Sequence, residues 1–106
     1  MQQLDQTFRA IADPTRRAII GLLADGDRTA GSVAAEFTIS RPAIVKHLNI
    51  LREGGLITTT QKGRERINRL NPAGFQHIAR WVNHYERFWD DKLLALKKAA
   101  EKGKNK

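Results

Sequence analysis

The sequence predicts a mainly α-helical fold that carries one small β-hairpin. In the helical segments, apolar residues recur every three or four positions, as they do on one face of a helix. Residues 56–70 break this pattern, because they are rich in β-branched residues and alternate on either side of a glycine. A chain of 106 residues makes one domain. We expect that domain to span residues 1–100, followed by a basic flexible tail over residues 101–106.

The first two helices are predicted from apolar spacing and from a capping signal between them. Leu4, Phe8 and Ile11 lie four and three positions apart, which predicts one face of a short helix. Asp13 is a good N-cap, and Pro14 suits a first helical position, where its missing N–H costs nothing. A second helix therefore begins there, with an apolar face made of Ala18, Ile19, Leu22 and Leu23.

The next two helices are separated by a very short connection. Thr29 can cap a third helix, and Ser40 can cap a fourth that runs to Glu53 and stops at two glycines. The residues predicted to be buried in the third are Val33, Ala34 and Phe37. Such a tight connection between two helices is typical of a helix-turn-helix.

The hairpin is predicted to join Leu56–Gln61 to Glu65–Leu70 through a basic tip, Lys62–Gly63–Arg64. A helix-turn-helix followed by such a hairpin is a winged helix-turn-helix, and the hairpin is called the wing.

A long C-terminal dimerisation helix is predicted to start at Pro72. Its apolar stripe persists for about seven turns, which is more than a domain of this size needs to cover its own core. We therefore expect part of the stripe to bury against a second copy of the chain. The residues of this helix predicted at the dimer interface are Trp81, Tyr85, Phe88 and Trp89.

The positive charge is concentrated in one part of the chain. The net charge is +8, but residues 1–39 carry −1, residues 40–70 carry +5 and residues 71–106 carry +4. The middle segment holds the fourth helix and the hairpin, the two elements that face a DNA duplex in a winged helix. The charge therefore favours a polyanionic partner.

The fourth helix has a predicted inner and outer face. Ile44, Leu48 and Leu51 lie on one side, which leaves a polar side concentrated in the first two turns. Arg41 is the best candidate for a bidentate contact to guanine, because its planar fork matches the O6/N7 pair. The residues predicted to bind DNA are Ser40, Arg41, Pro42, Ala43, Lys46 and His47 on the helix and Lys62, Arg64 and Arg66 on the wing.

Several sequence blocks resemble the ArsR/SmtB family of winged helix-turn-helix repressors. They are Ala12–Arg17, Ser40–Leu48 and Leu51–Ile57, followed by Gly63–Arg64 and Leu70–Pro72. The resemblance implies a bacterial homodimer, built from the first and last helices, that binds a palindromic operator and represses transcription. It therefore also implies that Leu4 and Phe8, on the first helix, lie at the dimer interface.

The sequence departs from the metal-sensing founders of that family. It has no cysteine, so no thiolate site is available. His77 and His84 lie about two turns apart, or roughly 10 Å, which is too far for one ion to bridge within a chain. We therefore expect no metal and no cofactor, and we place the chain in the branch that does not sense metals. The aromatic residues of the last helix are interpreted as packing, with a small-molecule effector pocket as the alternative.

Two other classes of function compete with a DNA-binding regulator. An enzyme needs a nucleophile, a base or metal ligands converging on a cleft, and the sequence arranges none, so we expect no enzymatic activity. A winged-helix module that binds protein or RNA remains the alternative to a DNA-binding regulator. No apolar run approaches the roughly 18 residues of a membrane span, and we expect a cytoplasmic protein.

Overall fold

The computed structural model describes the backbone of residues 2–104, and all side chains in that range except those of residues 2, 87, 89 and 102–104. The elements in chain order are α1 (Gln2–Ile11), α2 (Pro14–Ala24), α3 (Ala30–Ala34), α4 (Arg41–Glu53), β1 (Ile57–Lys62), β2 (Glu65–Leu70), α5 (Pro72–His84) and α6 (Glu86–Lys104). The mainly α fold with one hairpin is confirmed.

Side-chain caps fix where the helices begin. Asp13 accepts a hydrogen bond from the Arg16 N–H and caps α2, while Ser40 accepts from the Ala43 N–H and caps α4. Thr29 caps α3 in the same way, so all three predicted caps are confirmed. Each cap satisfies an N–H that has no partner within its helix.

One apolar core joins the first four helices to the hairpin. Ile44, Leu48 and Leu51 are buried, which confirms the predicted inner face of α4. The rest of the buried core consists of Ala10, Ile19, Leu23, Val33, Leu56 and Ile57. Three expectations differ in detail. Ala18 is exposed and Ala34 is half-buried. Phe37 is half-buried in the turn after α3, because that helix ends at Ala34.

The C-terminal helices are anchored where α4 ends. The Asn71 side chain donates a 2.9 Å hydrogen bond to the carbonyl oxygen of Gly55. Gly74 is buried directly against that carbonyl, and a Cβ at position 74 would collide with it. A glycine in the first turn of α5 therefore allows this helix to start against the α4 terminus.

The hairpin is a regular antiparallel pair that runs from Ile57↔Leu70 to Lys62↔Glu65. Its tip is therefore the two residues Gly63 and Arg64, and not the three that were predicted. Gly63 has a φ of 64°, which favours glycine at the first central position of a tight hairpin turn.

The predicted single long helix is interrupted at Tyr85. Tyr85 has φ −103° and ψ 10°, and it ends α5 before α6 begins at Glu86. Asn83, His84 and Tyr85 are weak helix formers, whereas an acidic residue stabilises a helix N-terminus, so the sequence favours a new start at Glu86. The helix α6 then continues to Lys104, into the segment predicted as a flexible tail; residues 105 and 106 lie outside the described residues.

Candidate nucleic-acid interface

The helix α4 presents the start of its outer face to solvent. Arg41, Pro42 and Lys46 are exposed, Ala43 is half-buried, and Ser40 serves as the cap. Val45 is 40% exposed on the same helix, although the sequence analysis did not single it out. Val45 lies between Arg41 and Lys46 in the sequence of α4 and offers an apolar contact, which the charge pattern alone does not predict.

The predicted residues Arg41 and His47 lie on different sides of α4. The guanidinium carbon of Arg41 lies 3.6 Å from where a Cβ on Gly31 would be, so the side chain packs over the start of α3. His47 is half-buried against α2, with its Nδ1 3.2 Å from Nη1 of Arg16. The same arginine donates a 2.7 Å hydrogen bond from Nε to the Ala10 carbonyl. His47 thus occupies the edge of the outer face and packs against another helix.

The predicted wing residues are all exposed. Lys62 ends β1, Arg64 lies in the turn and Arg66 is the second residue of β2. Arg69 lies farther along the same strand and pairs with Asp27 at 3.0 Å. The wing therefore presents its free cations at the tip, and the cation farther along is already paired.

A concave groove lies between α4 and the wing. Its volume is about 540 Å³. Four arginines line it, Arg41, Arg52, Arg64 and Arg66, together with a single carboxylate, Glu65. The remaining lining residues are Thr29, Ala30, Gly31, Ser32, Val45, Leu48, Asn49, Thr59 and Asn68. The structure thus brings α4 and wing residues that are distant in sequence onto one cationic surface, which we call the arginine groove.

A chain of hydrogen bonds crosses the floor of the arginine groove. Arg52 donates to Oδ1 of Asn49 at 2.7 Å and to the Thr59 hydroxyl at 2.9 Å. That hydroxyl donates to Oδ1 of Asn68 at 2.8 Å, and Nδ2 of Asn68 donates to the Arg28 carbonyl at 3.2 Å. Asn68 is 2% exposed, so the bonds that it makes are partly shielded from water, whereas the bond between Arg52 and Asn49 is exposed. This series of hydrogen bonds, which we call the relay, joins α4 to both strands of the wing and fixes the angle between the helix and the wing.

Arg52 is the functional candidate that sequence reasoning missed. Burial, and after it the positive charge of Arg66, lowers the pKa of Arg52 below its usual value. The group remains a cation at neutral pH, because an arginine starts from so high a pKa. Repulsion between two arginines facing one groove would be relieved by an anion bound there. The helix dipole favours a basic residue at the C-terminal end of any helix, so the position of Arg52 in the sequence is only a weak indication of a functional role.

An aromatic surface lies between α1 and α5. The rings of Phe8 and Trp81 meet edge to face at 5.1 Å, and the Tyr85 ring lies 5.1 Å from Trp81. Trp81 is 41% exposed, Tyr85 39% and Phe88 50%. Leu4 is half-buried on α1, and the side chain of the sixth predicted residue, Trp89, lies outside the described part of the chain. We call this set of described side chains the aromatic face.

The histidines of α5 lie beside the aromatic face. His77, His84, Arg80 and Trp81, with Gln3 and Leu4, line a shallow groove of about 430 Å³. Within the described residues, no three histidine, cysteine or carboxylate side chains are grouped as a metal ion would need. In the same part of the chain, no helix combines the length and the hydropathy needed to cross a membrane.

Residues 13–59 match the family described as bacterial regulatory protein, arsR family. The chain is 40% identical over 90 residues to the transcriptional repressor SdpR of Bacillus subtilis, covering 85% of this chain and all of that protein. An ArsR-like transcriptional regulator from Rhodococcus sp. RHA1 superposes with a TM-score of 0.74 at 36% identity, over 93% of each chain.

A more distant likeness extends to the fold alone. A homodimeric winged helix-turn-helix DNA-binding domain from Mycobacterium bovis, described as a possible ArsR-family regulator, has a TM-score of 0.64 at 24% identity, over 87% of this chain and 82% of that one. Sequence and fold agree, and the chain belongs to the ArsR family of bacterial regulatory proteins as a winged helix-turn-helix transcriptional regulator.

Proposed function

We propose that the chain is a cytoplasmic homodimeric repressor that binds a palindromic double-stranded operator. The observation that carries the proposal is the arginine groove, where four arginines from α4 and the wing face one concave surface with a single carboxylate. Such a surface fits a duplex, because DNA presents phosphates on both sides of the groove that a helix enters.

In this proposal, the N-terminal half of α4 enters the major groove. The helix dipole adds partial positive charge at that end, and the side chains there are the exposed ones. Arg41 reads a guanine edge after leaving its packing over Gly31. Pro42, Ala43 and Val45 lack side-chain donors and contact thymine methyl groups. Lys46 binds a phosphate.

The wing residues contribute sequence-independent affinity. Lys62, Arg64 and Arg66 lie on an exposed hairpin, where they reach phosphates or the adjacent minor groove. Arg52 binds the phosphate that relieves its repulsion with Arg66. Because the hydrogen-bonded relay fixes the wing to α4, both elements engage one half-site as a unit.

The aromatic face is proposed as the dimer interface. A single winged helix neutralises few phosphates, so operator affinity at physiological salt needs two half-sites about 34 Å apart. The homodimeric domain of the same fold from Mycobacterium bovis supports this arrangement.

For a small-molecule effector we propose the shallow groove lined by His77 and His84. This groove lies beside the aromatic face. A ligand bound there would change the distance between the α4 helices of the two protomers.

The proposal is tested by footprinting the protein on the DNA upstream of its own gene, with RNA and random duplex as competitors. We expect protection of two symmetric half-sites about one turn apart and competition by excess operator only. Equal competition by RNA, or by random duplex at every salt concentration, would favour the alternative of a module with another partner.

A further inference from the structure

Within the part of the chain that the structure describes, His47 makes a hydrogen bond with only one of its two ring nitrogens. Its Nδ1 lies 3.2 Å from Nη1 of Arg16. A guanidinium has five N–H donors and no acceptor, so the arginine donates this bond and Nδ1 accepts it. A ring nitrogen that accepts carries no proton. The ring is therefore neutral, with its hydrogen on Nε2, as long as this bond is made.

The guanidinium of Arg16 is held by the end of α1. Its Nε donates to the Ala10 carbonyl at 2.7 Å, and its Nη2 donates to the Arg9 carbonyl at 3.0 Å. These carbonyls belong to the last turn of α1, where a helix leaves its C=O groups without partners. Because two of its three nitrogens are bound in this way, the guanidinium plane is fixed and Nη1 is directed at His47. Arg16 can therefore determine how the imidazole ring is oriented.

The second ring nitrogen of His47 reaches solvent. Its Nε2 has no hydrogen-bond partner among the described residues. In the same residues, no side-chain nitrogen or oxygen of a buried or half-buried residue is shut off from water without a partner. His47 is half-buried, so its Nε2–H faces outward at the edge of α4. This donor is available to an acceptor on a bound partner.

His47 lies on a different flank of α4 from the arginine groove, whose lining does not include it. At 3.6 residues per turn, it stands about 120° around the helix from Arg41 and about 140° from Arg52. A helix is about 10–12 Å wide and the major groove about 12 Å, so a helix in that groove has a phosphate backbone on each flank. In the proposed complex, the arginine groove meets one backbone and His47 faces the other.

We propose that His47 donates a hydrogen bond from Nε2–H to a DNA phosphate, and that Arg16 is the residue that positions it. This inference rests on the proposed binding of an operator and adds a contact to the second backbone. A phosphate oxygen only accepts hydrogen bonds, so it matches a ring nitrogen that only donates. Arg16 fixes the tautomer and the orientation of the ring through Nδ1 and makes no DNA contact of its own.

The first test is the operator affinity of His47→Ala at several salt concentrations. Binding should weaken about tenfold, because a dimer loses two hydrogen bonds to phosphates. The slope of log affinity against log salt should not change, because a neutral donor releases no counterion. An unchanged affinity would overturn the contact, and a slope lowered by roughly 1 to 2 would show a cation instead. A loss on operator but not on random duplex would assign His47 to a base edge and would also overturn it.

Two amide variants separate the nitrogens of the ring. The amide nitrogen of a glutamine reaches the position of Nε2, whereas the shorter asparagine reaches only that of Nδ1. His47→Gln should therefore bind the operator within about threefold of the parent, and His47→Asn should bind as weakly as His47→Ala. Equal affinities for the two amide variants would show that the outer nitrogen is not used, and would overturn the phosphate contact.

A double-mutant cycle tests the positioning role of Arg16. Arg16→Ala should weaken operator binding at least about threefold in the parent chain. In the His47→Ala chain it should cost nothing further, because no ring is left to position. Equal losses in both chains would show that Arg16 acts on the fold or on the DNA directly, and would overturn its positioning role.

Arg17→Ala is the matched control. Arg17 also donates to carbonyls at the end of α1, those of Ile11 and Ala12, at 2.9 and 3.0 Å. In the described residues it makes no hydrogen bond to His47. Any effect of Arg17→Ala on operator affinity should therefore be the same with and without the histidine. A cycle for Arg17 that matches that of Arg16 would remove the evidence for a specific bond and overturn the inference.

Nitrogen NMR of the histidine rings gives a readout that does not depend on affinity. In the parent chain His47 should carry its proton on Nε2, and the operator should slow the exchange of that proton with water. Arg16→Ala should shift the ring toward a mixture of tautomers, and Arg17→Ala should not. A proton on Nδ1 in the parent would overturn the inference. Variants that bind operator as the parent does would end this contact alone, whereas a parent that binds no operator would end the proposed function as well.

Discussion

Arg41 is the residue on which base recognition is predicted to depend. Replacing it with alanine should cost about 1 to 3 kcal/mol at the operator and relax the preference at one position in each half-site, because the bidentate contact to guanine is lost. The measurement is a titration against operator variants substituted at single positions. A loss that is equal on operator and random DNA would assign Arg41 to phosphate binding.

Asp13 links the stability of α2 to pH. Its hydrogen bond from the Arg16 N–H, aided by the positive charges of Arg16 and His47, lowers the pKa of the carboxyl below its usual 3.8. A lowered pKa stabilises the fold above the unfolded value, and this contribution disappears as the pH falls through the folded value.

The variant Asp13→Asn removes only the negative charge of the Asp13 carboxylate, because asparagine is an equally good cap. The parent should unfold at a higher denaturant concentration than the variant at neutral pH. The difference should begin to shrink near pH 3.8 and should vanish only once the pH has fallen below the lowered pKa of the folded state. A difference that persists at low pH would show that the cap does not act through its charge.

At the scale of elements, the wing is expected to act through phosphates. Each lost phosphate contact lowers the slope of log affinity against log salt by about 0.9, and a dimer carries two wings. Arg64→Ala should therefore lower the slope by roughly 1 to 2. Arg69→Ala is a matched control on the same hairpin, because Arg69 is paired with Asp27 at 3.0 Å. Equal slopes for the Arg64 variant and the parent would remove the wing from the phosphate contacts.

The helix α5 is expected not to respond to zinc. His77 and His84 line one groove, but they lie about two turns apart, and no cysteine is present to complete a site. Zinc in low micromolar excess should leave the operator bound in a gel-shift or anisotropy assay. A stoichiometric release that His77→Ala or His84→Ala abolishes would show a site shared across the dimer.

Local signals made most of the elements predictable. The caps Asp13, Thr29 and Ser40 each act within three residues, so a sequence window contains the whole interaction. The relay is different, because it joins Asn68 to Arg28, forty positions earlier in the chain. No local pattern encodes that pairing. For the same reason, the sequence predicts α4 and the wing as two separate basic elements, and it does not predict that Arg52 lies in the arginine groove.

At the scale of the whole molecule, dimerisation and DNA binding are expected to be lost together. Tyr85 is 39% exposed and closes the aromatic face next to Trp81. Tyr85→Glu places a charge where the second copy should pack, and desolvating that charge costs several kcal/mol. We expect a monomer by sedimentation and an operator affinity reduced toward that of random DNA, because one half-site alone supplies little specific binding.

The conservative variant Tyr85→Phe keeps the ring and should keep both the dimer and the affinity. Thermal unfolding of each variant separates a split dimer from an unfolded chain, since Tyr85 lies outside the buried core. Arg64→Ala should separate the two effects in the opposite way, because we expect it to weaken DNA binding and to leave the dimer intact. A Tyr85→Glu protein that remains dimeric with full operator affinity would place the dimer interface elsewhere than on the aromatic face.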